Sequence, residues 1–247
     1  PDDADCHLWL GRAFGRKALE AGMLTGVRYA GRIREHFARA VELAPDAIEP
    51  RYDLNQFYIL APSVVGGGKA KARDNIAAFA QRRPAEAALL NAQLALAEER
   101  FDEAERLLLG FTPPAGVDER GLRSVWRDLL SSLGFTYFSR KPPRLADARR
   151  VFEFASTRFP KVELFLRGQG RVAQEEGRYE AAAALFEQAL AIRPQPGAHY
   201  RLAQVAEKLG DTARAIVHYE KTLRSPQGVP GSVSRDAAER LRVLQRL

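Results

Sequence analysis

One spacing constrains this chain more than anything else in it. Ala148, Phe152 and Pro160 return 34 residues later as Ala182, Phe186 and Pro194. Gly177, Ala182 and Phe186 return 33 residues later as Gly210, Ala215 and Tyr219, followed by Thr222 and Pro226. Earlier stretches keep the register: Ala104 with Leu108, then Ala72, Ile76, Phe79 and Pro84, then Ile33, Phe37, Ala40 and Pro45. Leu10, Gly11 and Phe14 supply the first half of that earliest unit. Within Val162–Pro194 the apolar positions fit two amphipathic helices, with a turn at Glu176-Gly177-Arg178 and a proline that cannot continue the second. Small residues such as Gly170 and Ala182 mark where two helices approach closely. One such unit cannot bury its apolar face alone, so in-phase copies must stack on it.

The pattern Leu166, Gly170, Ala173, Gly177, Ala182, Phe186, Ala189, Pro194 resembles the tetratricopeptide repeat (TPR), a helix–turn–helix unit of 34 residues. The resemblance implies an all-α solenoid of about six units plus a C-terminal capping helix. It is read as a single domain, 1–247. Irregular units span 7–116, a register break 110–128, regular units 129–227, and the cap 232–247, with Ser232 or Ser234 as its N-cap. The break is visible as Ala104 to Ala148, 44 residues instead of 34. Such arrays are general binding scaffolds, so the fold names no function.

Composition excludes more than it assigns. No run approaches the roughly 20 apolar residues of a membrane span. Net charge is +7, with 38 basic residues of which seven are lysine. Most arginines have an acidic residue within about a turn, which favours a solvated helix face over nucleic acid or lipid headgroups. The single cysteine, Cys6, allows no intrachain disulfide and leaves the compartment open. The chain starts at Pro1, as a trimmed or mature chain would. No catalytic constellation appears, and no cofactor or metal is expected. His199 and His218 lie on the two helices of the last full unit, where they can meet as a chance pair. Glu175/Glu176 and Asp102/Glu103 read as solvated helix ends.

Two segments depart from the repeat. Gly22–Gly31 is expected to lengthen the first turn by about ten residues, a tolerated loop or a reach over a binding face. Val64-Val65-Gly66-Gly67-Gly68-Lys69-Ala70 is not a phosphate loop: Ser63 stands where the first glycine belongs and Ala70 where Ser or Thr would hold magnesium. The glycines are read as a permissive turn compensating for Pro62, with an anion cradle as the alternative. The segment APSVVGGGKAKA is similar to an insertion of bacterial extracytoplasmic TPR proteins, such as the TPR component of a bacterial sterol or lipid transport system. That resemblance implies a periplasmic location peripheral to a membrane, its signal or anchor removed, with the cytoplasm as the alternative.

Two binding functions follow. The first is a scaffold or adaptor in an extracytoplasmic assembly, with a protein or peptide in the groove formed by the first helices. Asn55, Gln169, Arg171, Arg201 and Gln204 are its candidate groove residues, since amides clamp peptide backbone and guanidiniums take carboxylates. The second is a carrier holding a sterol-like lipid in an aromatic-lined cavity. Eight aromatics fall within 126–165. Phe135 and Phe152 match core positions, whereas Tyr137, Phe138 and Phe154 do not. The candidate lipid-binding set is Tyr58, Asn91, Trp126, Phe135, Tyr137, Phe138 and Phe154.

Overall fold

The computed structural model describes residues 2–114 and 119–246, with the backbone alone for 23–25, 119 and 120. Among the described residues the chain is helical, with no strand. Six hairpins follow one another: α1 (Ala4–Glu20) with α2 (Gly22–Leu43), α3 (Ile48–Leu60) with α4 (Lys69–Ala80), α5 (Ala87–Ala97) with α6 (Phe101–Leu109), α7 (Glu119–Ser139) with α8 (Leu145–Arg158), α9 (Glu163–Glu175) with α10 (Tyr179–Ile192), and α11 (Pro196–Lys208) with α12 (Thr212–Leu223). A last helix, α13 (Gly231–Leu244), packs on α12. The chain divides into two compact units, Pro1–Leu129 and Leu130–Leu247, so α7 contributes to both.

One packing device recurs. A Cβ on Gly11 would sit 2.4 Å from the Phe37 ring, one on Gly134 2.5 Å from Phe152, and one on Gly170 2.7 Å from Phe186. Each glycine on a first helix lets the phenylalanine of its partner helix lie against backbone. The turns are equally repetitive. Gly177 (φ 72°) and Gly210 (φ 76°) adopt the left-handed conformation that ends α9 and α11. The next residues, Arg178 and Asp211, donate their N–H back to Ala173 and Ala206.

Three expectations need correction. Gly22–Gly31 is not a loop: α2 is helical from Gly22 to Leu43, and the turn is confined to Ala21 and Gly22. No proline interrupts the stretch. Gly26 lets the two helices touch, since a Cβ there would lie 2.7 Å from the Ala18 carbonyl oxygen. The last helix starts at Gly231 after Pro230, with no side-chain cap from Ser232 or Ser234. Tyr137 is a core residue, fully buried, with the Arg144 guanidinium 4.4 Å above its ring. The register break is helical from Glu119 onward; its 115–118 stretch lies outside the described residues.

The glycine triplet keeps its reading as a turn. After α3 the chain makes a short 3-10 turn over Ser63–Val65. Gly66 (φ 94°) and Gly68 (φ 125°) occupy backbone regions closed to most side chains. A Cβ on Gly67 would fall 1.8 Å from the Ala61 carbonyl oxygen. Three glycines are therefore required here. Their N–H groups go to Ser63, Pro62 and Tyr58 carbonyls at 2.9, 3.1 and 2.7 Å. None of the three glycine N–H groups is left to cradle an anion, and the permissive-turn reading holds.

The first unit buries polar side chains as well as apolar ones. Asn55 Nδ2 donates to Gln93 Oε1 (2.8 Å), Gln93 Nε2 to Gln56 Oε1 (2.8 Å), and Arg51 Nη1 to Asn75 Oδ1 (3.1 Å). Asn75 Nδ2 closes the chain on the Arg51 carbonyl and on Asn55 Oδ1. These groups link α3, α4 and α5 through buried and part-buried hydrogen bonds.

Candidate partner groove

Arg167 and Arg171 lie four residues apart on α9, hence on one face. Arg201 comes from the following first helix, α11. All three are half-buried. Burial draws the Arg171 guanidinium down from its usual value, and the neighbouring charge of Arg201 adds to the effect. Burial does the same to Arg167, opposed by the charge of Glu163 and aided by that of Arg193. Many arginines among the described residues sit against carboxylates, as Arg214 does with Glu187 (2.5 Å) and Arg178 with Glu176 (2.5 Å). Among the described residues no carboxylate comes within ion-pair distance of Arg167, Arg171 or Arg201. Arg201 instead makes a 3.3 Å contact to Gln204 Oε1.

Arg171 lies on an aromatic shelf, its guanidinium carbon 4.2 Å from the Phe138 ring centroid and 5.6 Å from that of Phe135. The shelf orients the cation and shields it from water. Its Nε is inaccessible and has no hydrogen-bond partner; the same holds for Gln174 Oε1, three residues on. The site thus combines donors held by three guanidiniums with one unanswered acceptor. A cavity of about 470 Å³ opens beside it, lined in part by Gln174, Glu175, Arg201, Gln204, Glu207 and Arg240.

A second network fixes one end of this cavity. Gln204 Nε2 donates to the Tyr200 hydroxyl (2.8 Å), which donates to Asp236 Oδ2 on α13 (2.6 Å). Arg240 of α13 reaches both Asp236 (3.0 Å) and Glu207 (3.2 Å), and Tyr219 donates to the same Glu207. Burial and the Asp236 contact push the Tyr200 hydroxyl up to about 12. Gln204 therefore serves the attachment of α13 as much as any ligand.

The residues singled out from sequence separate into groups. Arg171 and Arg201 are brought together, with Gln204 beside them. Gln169, also on α9, spends its amide on the Phe152 carbonyl (3.0 Å) and Ser156 Oγ (2.7 Å). Asn55 is fully buried in the first unit's polar chain. Arg167 and Gln174 were not singled out, although their spacing of four and three residues from Arg171 places them on its face. Of the aromatic set, Tyr58, Asn91 and Trp126 lie in the first unit, the other four in the second. Trp126 is sealed in the core, with Nε1 donating to the Leu108 carbonyl (2.9 Å) and Phe111 against its ring. Asn91 is exposed. Phe154 carries Arg158 at 5.3 Å. Tyr58 lines a cavity of about 870 Å³ with Arg34, Glu35, Arg39 and Lys71.

The histidines pair twice. His199 and His218 bring their Nδ1 atoms to 3.0 Å, as do His7 and His36. In each pair the ring centroids are 5.1 Å apart. The centroids exceed the nitrogen separation by close to two ring radii, so the rings meet nearly end to end. That geometry suits a shared N–H···N hydrogen bond rather than two lone pairs converging on one ion. Among the described residues no cluster of three or more His, Cys, Asp or Glu could hold a metal.

A family model described as tetratricopeptide repeat matches residues 144–196 and 167–230. No curated protein matches the sequence. Among solved structures, PilF of Pseudomonas aeruginosa aligns with 96% of this chain and 97% of its own, at 15% identity and a TM-score of 0.58. A chain of the APC/C hetero-tetramer Cut9–Hcn1 aligns with 99% of this chain at 14% identity and a TM-score of 0.51; this chain spans 43% of it. Likeness at such identities is likeness of fold.

Proposed function

Because this is a tetratricopeptide-repeat protein, with repeats matched over residues 144–230 and the fold shared across the chain, we propose that it is a non-catalytic binding scaffold whose second unit holds an acidic segment of a protein partner. One observation carries the reading. Arg167, Arg171 and Arg201 are half-buried, near one another, and without carboxylate partners. Burying cations unpaired is unfavourable for folding alone, and groups so perturbed concentrate at functional sites. A guanidinium fork matches a carboxylate, and an aromatic shelf beside it suits an apolar side chain of the same segment. Glu175 and Glu207 line the neighbouring cavity and disfavour a more highly charged anion such as phosphate. The assembly served is extracytoplasmic on the strength of the 61–72 segment alone.

The test is a pull-down from the source organism's envelope fraction with wild type and with Arg171→Gln/Arg201→Gln. A partner retained by wild type should be lost from the double variant, with affinity reduced roughly tenfold or more. The same proteins retained at equal yield would end the proposal.

The lipid-carrier reading has a narrower base. With Trp126 and Tyr137 in the core, the half-buried shelf of Phe135 and Phe138 is what supports it. Organic extraction of the purified protein followed by lipid mass spectrometry separates the readings. Stoichiometric sterol-like lipid supports the carrier, and a clean extract leaves the scaffold.

A further inference from the structure

The loop between α3 and α4 is longer than a repeat turn requires, and three glycines fix its backbone. What it displays is apolar. Leu60 is 70% exposed and Val64 90%, among the most exposed large hydrophobics of the chain. Neither contributes to the core. Leu60 ends α3 and Val64 lies in the 3-10 turn that Gly66 closes, so the two project from one knuckle of ordered backbone.

Around the knuckle the charge is of one sign. From residue 54 through 73 there is no Asp or Glu, while Lys69, Lys71 and Arg73 fall within it. Lys71 Nζ donates to the Gly66 carbonyl (3.0 Å) and Lys69 Nζ to the Ala97 carbonyl (3.1 Å). Lys71 is thereby held at the loop and Lys69 at the end of α5, and among the described residues neither has a carboxylate within ion-pair distance. Arg34 of α2 reaches the same place: its Nη1 would lie 2.5 Å from a Cβ on Gly66. Among the described residues Arg34 also has no carboxylate within ion-pair distance. Of the acidic groups nearby, Glu42 is held by Arg39 (3.0 Å), Glu98 by Arg73 and Arg100, and Glu35 lines the cavity that Arg34 enters.

We propose that this knuckle is a docking point for an anionic lipid surface. Leu60 and Val64 would enter the headgroup–acyl boundary, and Arg34, Lys69 and Lys71 would face the headgroup phosphates. A protruding apolar pair ringed by cations is the arrangement in which burial of apolar area and attraction to anionic lipid act together. A protein groove would be better served by a concave or flat apolar face. The anchoring is peripheral, since among the described residues no helix is long and apolar enough to cross a membrane.

The test is flotation with vesicles of phosphatidylcholine alone and of phosphatidylcholine mixed with phosphatidylglycerol. Wild type should float with the mixed vesicles only, and the binding should fall as salt is raised. Lys69→Gln or Lys71→Gln should each weaken it about fivefold, and Val64→Asp should abolish it. Leu60 and Val64 are exposed, so the variants fold; an unchanged melting curve checks this. No flotation of wild type, equal flotation of wild type and Val64→Asp, or self-association through Val64 without vesicle binding would each overturn the proposal. Arg171→Gln/Arg201→Gln should float like wild type, which keeps this result separate from the fate of the groove.

Discussion

The Phe186 ring occupies the space that any side chain on Gly170 would need: a Cβ there would meet Cε1 at 2.7 Å and Cδ1 at 2.9 Å. Phe186 is fully buried, so the ring cannot move aside into solvent. Gly170→Ala should therefore destabilise the second unit by about 1–3 kcal/mol through overpacking, despite alanine's better helix propensity. Combining it with Phe186→Leu should recover part of that loss. Urea denaturation of the single and double variants checks both; additive losses would refute the contact as the cause.

Asn55→Leu should behave oppositely to a naive hydrophobic gain. It removes a partner from Gln93 and Asn75, both nearly inaccessible. Leaving buried amides unsatisfied costs about 1–3 kcal/mol each. The expected outcome is a lower denaturation midpoint at unchanged slope.

Acidification should weaken the second unit through His199 and His218. Burial lowers the His218 value from 6.5 to about 4, with His199, Lys221 and Arg214 adding to the effect, and lowers that of His199 as well. Both histidines are depressed in the folded state, so between those values the unfolded chain binds more protons. Stability is then full above the unfolded value and declines as pH falls from about 6.5 toward 4. Melting temperatures at pH 7.5 and 5 for wild type and His218→Gln measure it. The variant should show the smaller drop; an equal drop would remove the pair as the cause.

Glu207→Gln should loosen α13. Tyr219, Arg240 and, through Asp236, Tyr200 converge on this carboxylate's neighbourhood. Faster amide exchange over 231–244, with α9 and α10 unchanged, is the expected result. Uniform exchange across the unit would instead indicate general destabilisation.

Much of the fold was legible because the repeat writes its packing in residue size. Gly170 and Phe186 stand at repeat positions for a small and a large residue, and they prove to be in contact. The misreadings come from places where sequence records no neighbour. Gly22–Gly31 looks like a loop by composition, yet Gly26 is small because Ala18 lies against it. Tyr137 looked free because the repeat pattern does not describe the Arg144 stacking above it. Asn55 reads as a groove amide on α3, and only the arrival of Gln93 and Asn75 from other helices shows it to be interior. For the groove, Arg171 and Arg201 were visible as basic residues on successive first helices. That they lack carboxylates could not be seen, because it depends on where every other acid points.

The buried amide chain of the first unit has a consequence for how such a protein can change. Apolar hairpins built on one small–large device are in principle interchangeable, and arrays of them grow by duplication and shuffling. The chain from Arg51 through Asn75 and Asn55 to Gln93 and Gln56 removes that freedom locally. A hairpin moved into this place would bring no matching amide. The second and third hairpins are thus matched to each other as a pair.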